Sequence, residues 1–83
     1  MSNIDLSLVI PCYNEETILG HSIKEIFEIL DDTLFNYEII FVEDCSQDNT
    51  AGIIENIISA HPDKRFSKIF QKSKAIHNKP NIL

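Results

Sequence analysis

Two kinds of hydrophobic pattern alternate along the chain. Short aliphatic runs, at residues 6–10 and 39–42, are rich in β-branched residues and are typical of buried parallel strands. Between and after them, apolar residues recur at steps of three and four, which predicts two amphipathic helices. Those helical positions are Ile18, Leu19, Ile23, Ile26, Phe27 and Leu30, followed by Ile53, Ile54, Ile57 and Ile58. Residues 66–71 indicate a third short strand.

Polar and special residues predict where these elements begin and end. Pro11 is expected to end the first strand, since it has no N–H to donate. Asn14 is a plausible N-cap for a first helix from about Glu15 to Leu30, which places acidic residues in its first turn. Residues 31–37 show no hydrophobic periodicity, which predicts a loop. We interpret its paired aspartates, Asp31 and Asp32, as solvated side chains rather than as metal ligands. Pro62 is expected to stop the second helix.

This order of elements predicts the fold class. Strand, helix, strand, helix and strand in succession favour parallel pairing through right-handed crossovers. The sequence therefore predicts an α/β fold, a β-α-β-α-β half of a doubly wound, Rossmann-like sheet. We expect a single domain over residues 1–71. Residues 72–83 are polar, mildly basic and without clear periodicity, which predicts an irregular tail.

Composition excludes several classes of function. The 83-residue chain carries a formal net charge of −6 and no basic stripe, which argues against nucleic acid as a partner. Its aliphatic runs are far too short to span a bilayer, and its first residues do not resemble a signal peptide. The two cysteines lack the spacing of a disulfide framework or zinc site, so free, inert thiols are favoured over a disulfide or metal. A cytoplasmic protein is the simplest interpretation.

Candidate chemistry lies in the two loops that follow the first two strands, at residues 10–15 and 42–50. The second strand ends in Glu43 and Asp44, directly before a cluster of helix-capping residues. Because the carboxyl ends of parallel strands meet at one edge of a sheet, both loops are expected there. Ligands of open α/β sheets bind at that edge. The sequence therefore predicts a ligand site at this edge, with Asp44 favoured as a ligand-binding residue and Glu43 interpreted as structural or solvated.

The two loops together resemble the family 2 glycosyltransferases of the GT-A type. The resemblance rests on two segments, Ile10-Pro11-Cys12-Tyr13-Asn14-Glu15 and Val42-Glu43-Asp44-Cys45-Ser46-Gln47-Asp48-Asn49-Thr50. They are similar to the strand endings V-I-P-x-Y-N-E and V-D-D-G-S-x-D-x-T of that family. The branch resembled most is that of dolichol-phosphate mannosyltransferase and the undecaprenyl-phosphate sugar transferases. The resemblance implies transfer of sugar from a nucleotide-sugar to a lipid phosphate or another acceptor, and a peripheral association with membranes.

Transferred position by position, the resemblance implies a nucleotide site in this chain. Pro11 and Tyr13 would shape its floor beside the base, and Glu15 would contact the nucleotide's sugar or base. Val42 would contribute a backbone contact. Asp44 would accept a hydrogen bond from the imide N–H of uracil or guanine, so a UDP- or GDP-linked sugar is the expected partner. An ionised carboxylate suits that bond, since it only accepts and its hydrogen bonds are charge-assisted.

The chain also departs from the family pattern. Glu43 replaces an aspartate, and Cys45 replaces a glycine. The D-x-D motif that binds Mg²⁺ or Mn²⁺ in the complete family domain has no counterpart here, nor has the catalytic base, so no cofactor is expected in this chain. Whether it is an enzyme is left open. The alternatives are a truncated, non-catalytic nucleotide-binding module and a module that interacts, or self-associates, through an exposed strand edge.

Overall fold

The computed structural model describes residues 3–71, which form three strands and two helices. The elements are, in chain order, β1 (Leu6–Cys12), α1 (Leu19–Leu30), β2 (Tyr37–Asp44), α2 (Thr50–Ala60) and β3 (Arg65–Gln71). The predicted β-α-β-α-β order is confirmed, and so is the third strand. Residues 72–83, predicted as an irregular tail, lie outside the described residues.

The three strands form one parallel sheet in the order β1-β2-β3. Ile10 lies opposite Phe41, and Val42 lies opposite Ile69. This register brings the carboxyl ends of all three strands to the same edge of the sheet. The loops that follow β1 and β2 therefore both leave from that edge, as the sequence predicts.

The hydrophobic core lies on one face of the sheet, beneath both helices. Its buried residues come from β1, α1, β2 and α2: Cys12, Leu19, Ile23, Phe27, Ile39, Phe41, Ile54 and Ile57. Phe66 of β3 packs against them, with its ring stacked on that of Phe41 at a centroid distance of 5.8 Å. The stripe predicted for α2 is thus buried at its centre, with Ile53 and Ile58 only partly buried.

The opposite face of the sheet has no helix over it among residues 3–71. Side chains of a strand alternate between faces, so Val9, Ile40, Val42 and Ile69 point away from the core. Val9 and Ile69 are 55% and 54% exposed. We call these four residues the open face.

The predicted start of α1 is wrong. The helix begins at Leu19, its first turn contains no acidic residue, and Asn14 is not its N-cap. Asn14 has a positive φ of 52°, and the carbonyl of Glu15 accepts hydrogen bonds from the N–H groups of Ile18 and Leu19. Residues 13–18 therefore form a bend and a turn, because their backbone is bonded to a second loop rather than to a helix.

Pro11 does not end the first strand, which continues to Cys12. Pro11 lies opposite Val42 in the register. A proline is compatible with β1 because β1 lies at the edge of the sheet formed by residues 3–71, where the missing N–H can face away from β2.

The paired aspartates of the return loop lie at the opposite end of the sheet from the carboxyl edge. Asp31 accepts a hydrogen bond from the Tyr37 hydroxyl at 2.7 Å and pairs with the Lys64 ammonium at 2.9 Å. The Tyr37 hydroxyl, followed by Lys64, lowers the pKa of the Asp31 carboxyl. Lys64 also lies over the Phe27 ring. These contacts fix the return loop, and Tyr37 belongs to β2 rather than to the predicted loop.

Candidate functional site at the carboxyl edge

Two loops meet at the carboxyl edge of the sheet through their backbones and side chains. The consecutive N–H groups of Asn14, Glu15 and Glu16 donate hydrogen bonds to three side chains of the second loop. The acceptors are, in that order, the Ser46 hydroxyl at 2.8 Å, the Thr50 hydroxyl at 2.8 Å and the Asp48 carboxylate at 3.1 Å. The first loop is therefore held by side chains of the second.

Hydrogen bonds also run in the reverse direction. The Gln47 N–H donates to the Asn14 side-chain oxygen at 2.7 Å, and the Asn49 N–H donates to the Glu16 carboxylate at 3.2 Å. Alternate residues of the second loop thus present side chains to the first, and the residues between them present N–H groups. This arrangement gives a physical reason for the spacing Ser46-x-Asp48-x-Thr50.

Thr50 is the centre of these contacts. It is the first residue of α2 and is fully buried. Its hydroxyl accepts from Glu15 and donates to the Asp48 carboxylate, which also accepts the Thr50 N–H at 3.0 Å. The Thr50 hydroxyl is the main reason that the pKa of the Asp48 carboxyl is lowered. The N-cap of α2 is Asn49, whose side chain makes no capping hydrogen bond, and Asp48 lies one residue before it. Asp48 accepts the Thr50 N–H from there, whereas the Thr50 hydroxyl joins the loops.

The turn after β2 is made by Glu43 and Cys45. The Glu43 side chain is buried, and its carboxylate accepts the Ser46 N–H at 2.7 Å. Cys45 has a positive φ of 56°, a conformation that favours glycine, and its thiol donates to the Gln71 carbonyl at 3.2 Å. The glycine that the family pattern places here is thus explained by the backbone of this turn.

We predict that Cys45→Gly stabilises the protein by about 0.5–1 kcal/mol. A left-handed conformation costs a residue with a side chain about 1–2 kcal/mol, and part of this gain is offset by glycine's greater freedom in the unfolded chain. Thermal unfolding would show a rise of a few degrees in Tm. Asn14→Gly is the matched control. It relieves a similar φ of 52° but removes the acceptor of the Gln47 N–H, so no rise is expected. An equal rise in both variants would contradict this account.

The other cysteine, Cys12, is fully buried in the core. Burial, followed by the nearby negative charges of Glu15 and Glu43, raises the pKa of its thiol to about 11. Both cysteines are free thiols. A protonated, buried thiol is a poor nucleophile, which agrees with the predicted inert role of Cys12.

The structure brings the predicted site residues to this edge in two groups. The first lies on the sheet, in β1 and β2, and the second lies in the loop that follows β1. Pro11 lies beside Val42 in the register, and Asp44 follows two positions later on the same face of β2. Pro11 is exposed, whereas Val42 and Asp44 are half-buried. Glu15 belongs to the other group, where Thr50 fixes its backbone. Tyr13 lies between the groups, directly after β1, and is 42% exposed.

Sequence reasoning missed the residues that position this loop. Ser46, Asp48 and Thr50 were interpreted as competing caps of α2. Their alternation with Gln47 and Asn49 was the available signal, because a cap requires only one such side chain.

Metal-ligating residues do not cluster in the part of the chain that the structure describes. Among residues 3–71, no group of three or more His, Cys, Asp or Glu side chains could bind a metal ion. Over the same residues, neither helix has the length and apolarity needed to cross a membrane.

The histidines occupy different environments. His21 is exposed and lies 3.3 Å from Glu25. His61 is half-buried: its Nδ1 lies 2.8 Å from the Ile57 carbonyl and its ring packs edge-on against Phe27. His77 lies outside the described residues. None of the contacts of the two described histidines places them at the carboxyl edge.

Comparison with known proteins matches the chain to one protein family. The sequence profile of glycosyl transferase family 2 matches residues 7–77. An uncharacterized glycosyltransferase of Synechocystis is 39% identical over 71 residues, which cover 86% of this chain and 21% of that protein. A dolichyl-phosphate beta-glucosyltransferase of Dictyostelium discoideum is 34% identical, covering 75% of this chain and 20% of the relative.

A third relative is an undecaprenyl-phosphate 4-deoxy-4-formamido-L-arabinose transferase of Shewanella sediminis. It is 42% identical over 62 residues, which cover 74% of this chain and 18% of the relative. The chain thus spans about a fifth of the length of these curated relatives. No solved structure gave a significant match.

Proposed function

Because the chain belongs to glycosyl transferase family 2, we propose that it is the nucleotide-binding part of a glycosyltransferase domain. The ligand is the nucleoside diphosphate of a UDP- or GDP-linked sugar. Its binding residues are Pro11, Tyr13, Glu15, Val42 and Asp44. The observation that carries the proposal is the pair of loops bonded together at the carboxyl edge of the sheet.

The bonded loops favour ligand binding because they are ordered before the ligand arrives. Thr50 and Asp48 fix the N–H groups of Glu15 and Glu16, so the loop that follows β1 loses little freedom on binding. Preorganisation of this kind raises affinity by lowering the entropic cost of association. Carboxyl edges of open α/β sheets are also the usual location of nucleotide sites.

Asp44 is the residue that recognises the base. Its position at the end of β2, on the same face as Val42 and two residues beyond it, places a carboxylate at the mouth of the site. The carboxylate accepts the imide N–H of uracil or guanine, which cytosine lacks. The exposed ring of Tyr13 offers an apolar surface to the same base. Sugar transfer to a lipid phosphate, as in the names of two of the relatives, is the parent activity we propose for the whole protein.

The described residues contribute binding rather than bond cleavage. Breaking the bond to a nucleoside diphosphate requires stabilisation of the charge that develops on the diphosphate. In the resembled family a metal ion held by a D-x-D motif supplies it, and the 83-residue sequence contains no such motif. We therefore expect no sugar transfer by the 83-residue chain alone.

Calorimetry on the full chain tests the assignment of Asp44. We predict that Asp44→Asn weakens the binding of UDP or GDP at least tenfold, since a hydrogen bond to a charged group contributes about 1.5–3 kcal/mol. The matched control is Glu38→Gln, which removes the same charge from the same face of β2 at the opposite end of the strand. CDP serves as the control nucleotide. Equal affinities for Asp44→Asn and the wild type, or equal binding of CDP, would contradict the assignment.

A second candidate function is self-association through β1. This strand lies at the edge of the described sheet, and its residues 6–10 contain neither a charge nor a proline. An edge of this kind presents unpaired N–H and C=O groups that can template pairing with another chain. The formal charge of −6 opposes association, but salt screens that repulsion beyond about 8–10 Å.

Light scattering over a concentration series measures this association. We predict a dimer or larger species in the wild type and a shift towards monomer in Val9→Lys, because Val9 is 55% exposed on the face away from the core and a charge on an edge strand disfavours pairing between chains. Lys substitution at Leu34, which is fully exposed outside the sheet, is the control and should leave the association unchanged. A wild-type protein that stays monomeric, with β1 amides protected from exchange, would exclude the second candidate.

A further inference from the structure

Strand β3 brings two side chains to the carboxyl edge, beside the residues of β1 and β2 that belong to the proposed site. Val42 is the register partner of both Pro11 and Ile69, so these three residues form one row across the sheet. Asp44 lies two residues further along β2, and its register partner on β3 is Gln71. Partners in a parallel sheet point to the same face, and so do residues two apart on a strand. Asp44 and Gln71 therefore form a second row on the same face, nearer the edge.

The two rows differ in their chemistry. The first row is apolar, with Pro11 exposed, Val42 half-buried and Ile69 54% exposed. The second row holds a carboxylate and a carboxamide, and both residues are half-buried. Small-molecule sites usually combine an apolar surface with a few polar groups that fix the orientation of the ligand. The two rows therefore suit a nucleobase, which has an apolar face and a polar edge.

The backbone of Gln71 is fixed against the turn that follows β2. Its carbonyl accepts a hydrogen bond from the Cys45 thiol at 3.2 Å, in addition to the pairing of β3 with β2. Adjacent strands lie about 4.8 Å apart, so the side chains of Asp44 and Gln71 leave the sheet at about that separation. One ligand can therefore contact both of them.

The two side chains offer different hydrogen bonds to a base. An ionised carboxylate only accepts, whereas a carboxamide has an NH2 donor and a carbonyl acceptor. The negative charge of Asp44 orients the amide dipole of Gln71 so that the NH2 group, rather than the oxygen, lies towards it. The pair then presents an acceptor beside a donor. Uracil and guanine carry the matching groups, a ring N–H beside a carbonyl oxygen, whereas cytosine and adenine have a ring acceptor beside an amino group.

We propose that Gln71 recognises the base together with Asp44. Its side-chain amide donates a hydrogen bond to the carbonyl beside the ring N–H, which is O4 of uracil or O6 of guanine. Ile69 extends the apolar floor of the site onto β3. This inference rests on the proposed nucleotide function and adds a third strand to the same site.

A thermodynamic cycle on the full 83-residue chain tests the contact. Calorimetry compares UDP with 4-thio-UDP, and GDP with 6-thio-GDP, because sulfur is a weak acceptor. The wild type should bind the thio-nucleotide roughly three- to tenfold more weakly, as expected for the loss of one neutral hydrogen bond. Gln71→Met keeps the length of the side chain but has no amide, so the difference should fall to less than about twofold.

Ser67→Met is the matched control for this cycle. It places the same side chain on the same face of β3, at an exposed position two rows further from the edge than Gln71. It should keep the wild-type preference for the oxygen-containing nucleotide, and the pair of nucleotides that shows this preference identifies the base. No such preference in the wild type, or an undiminished one in Gln71→Met, would overturn the role of Gln71 alone. No binding of UDP or GDP by the wild type would overturn the proposed function and this inference together.

The side-chain amide of Gln71 gives a second measurement that needs no substitution. In nitrogen-15 NMR spectra of the wild type, binding of the nucleotide should shift the NH2 resonances of Gln71. Those of Asn56, which is exposed on α2, should stay unchanged. Nucleotide binding that leaves the Gln71 NH2 resonances in place would overturn the inference.

Discussion

Replacing Phe41 with alanine is expected to remove about 3–5 kcal/mol from the free energy of unfolding. Phe41 is fully buried at the centre of β2 and stacks on Phe66, and the helices close over the same face. A domain of this length has a total stability of roughly 4–12 kcal/mol, so the variant should lose a large part of it. Urea unfolding followed by circular dichroism measures the change.

Phe35→Ala is the matched control for that substitution. Phe35 is 56% exposed in the return loop, and its truncation should change stability by less than about 1 kcal/mol. If Phe41→Ala proves too unstable to measure, Phe41→Leu gives a graded comparison with a smaller loss. Equal losses for Phe41→Ala and Phe35→Ala would show that the core does not lie where the structure places it.

The second large effect is expected from Thr50→Val. Valine keeps the shape of threonine but lacks the hydroxyl that accepts the Glu15 N–H and donates to Asp48. Because Thr50 is fully buried, water cannot replace these partners, and we expect a loss of about 1–3 kcal/mol. For a domain of this size, that corresponds to a fall in Tm of about 4–8 °C per kcal/mol.

Amide hydrogen exchange separates a local effect from a global one. In Thr50→Val the Glu15 amide should exchange much faster than in the wild type, because its acceptor is gone. The control is Thr17→Val, an exposed threonine in the turn before α1, which should alter neither exchange at Glu15 nor stability. Protection of the Glu15 amide that survives in Thr50→Val would contradict the role given to the hydroxyl.

The sheet could be predicted from the sequence because its signals are local. The aliphatic runs of β1 and β2, and the three- and four-residue steps of the helices, depend only on which residues follow one another. The end of α2 at His61-Pro62 and the strand after Arg65 were predictable for the same reason. The position of both loops at one edge then follows from parallel pairing alone.

The loop after β1 could not be predicted from local signals. Asn14-Glu15-Glu16 is a typical helix start by composition. In the structure its N–H groups are taken by Ser46, Thr50 and Asp48, more than thirty residues away in sequence. Those long-range hydrogen bonds replace the helical ones, and α1 begins at Leu19 instead.

The sequence pattern also could not predict which face of the sheet the two helices cover. Ile40 and Val42 are as apolar as Ile39 and Phe41, yet only the latter pair lies under the helices. A strand that is apolar on both sides indicates that both faces are covered in the complete domain, but it does not identify which helices cover which face. That assignment depends on the handedness of the crossovers and the strand order.

Nitrogen-15 NMR of the full chain, titrated with UDP and with GDP, tests most directly whether the two loops form a nucleotide site. The account predicts that one of the nucleotides shifts the amide resonances of Tyr13, Glu15, Val42 and Asp44, while those of Asp31 and Lys64 at the opposite end of the sheet stay unchanged. Shifts confined to that opposite end, or no shift with either nucleotide at millimolar concentration, would contradict it.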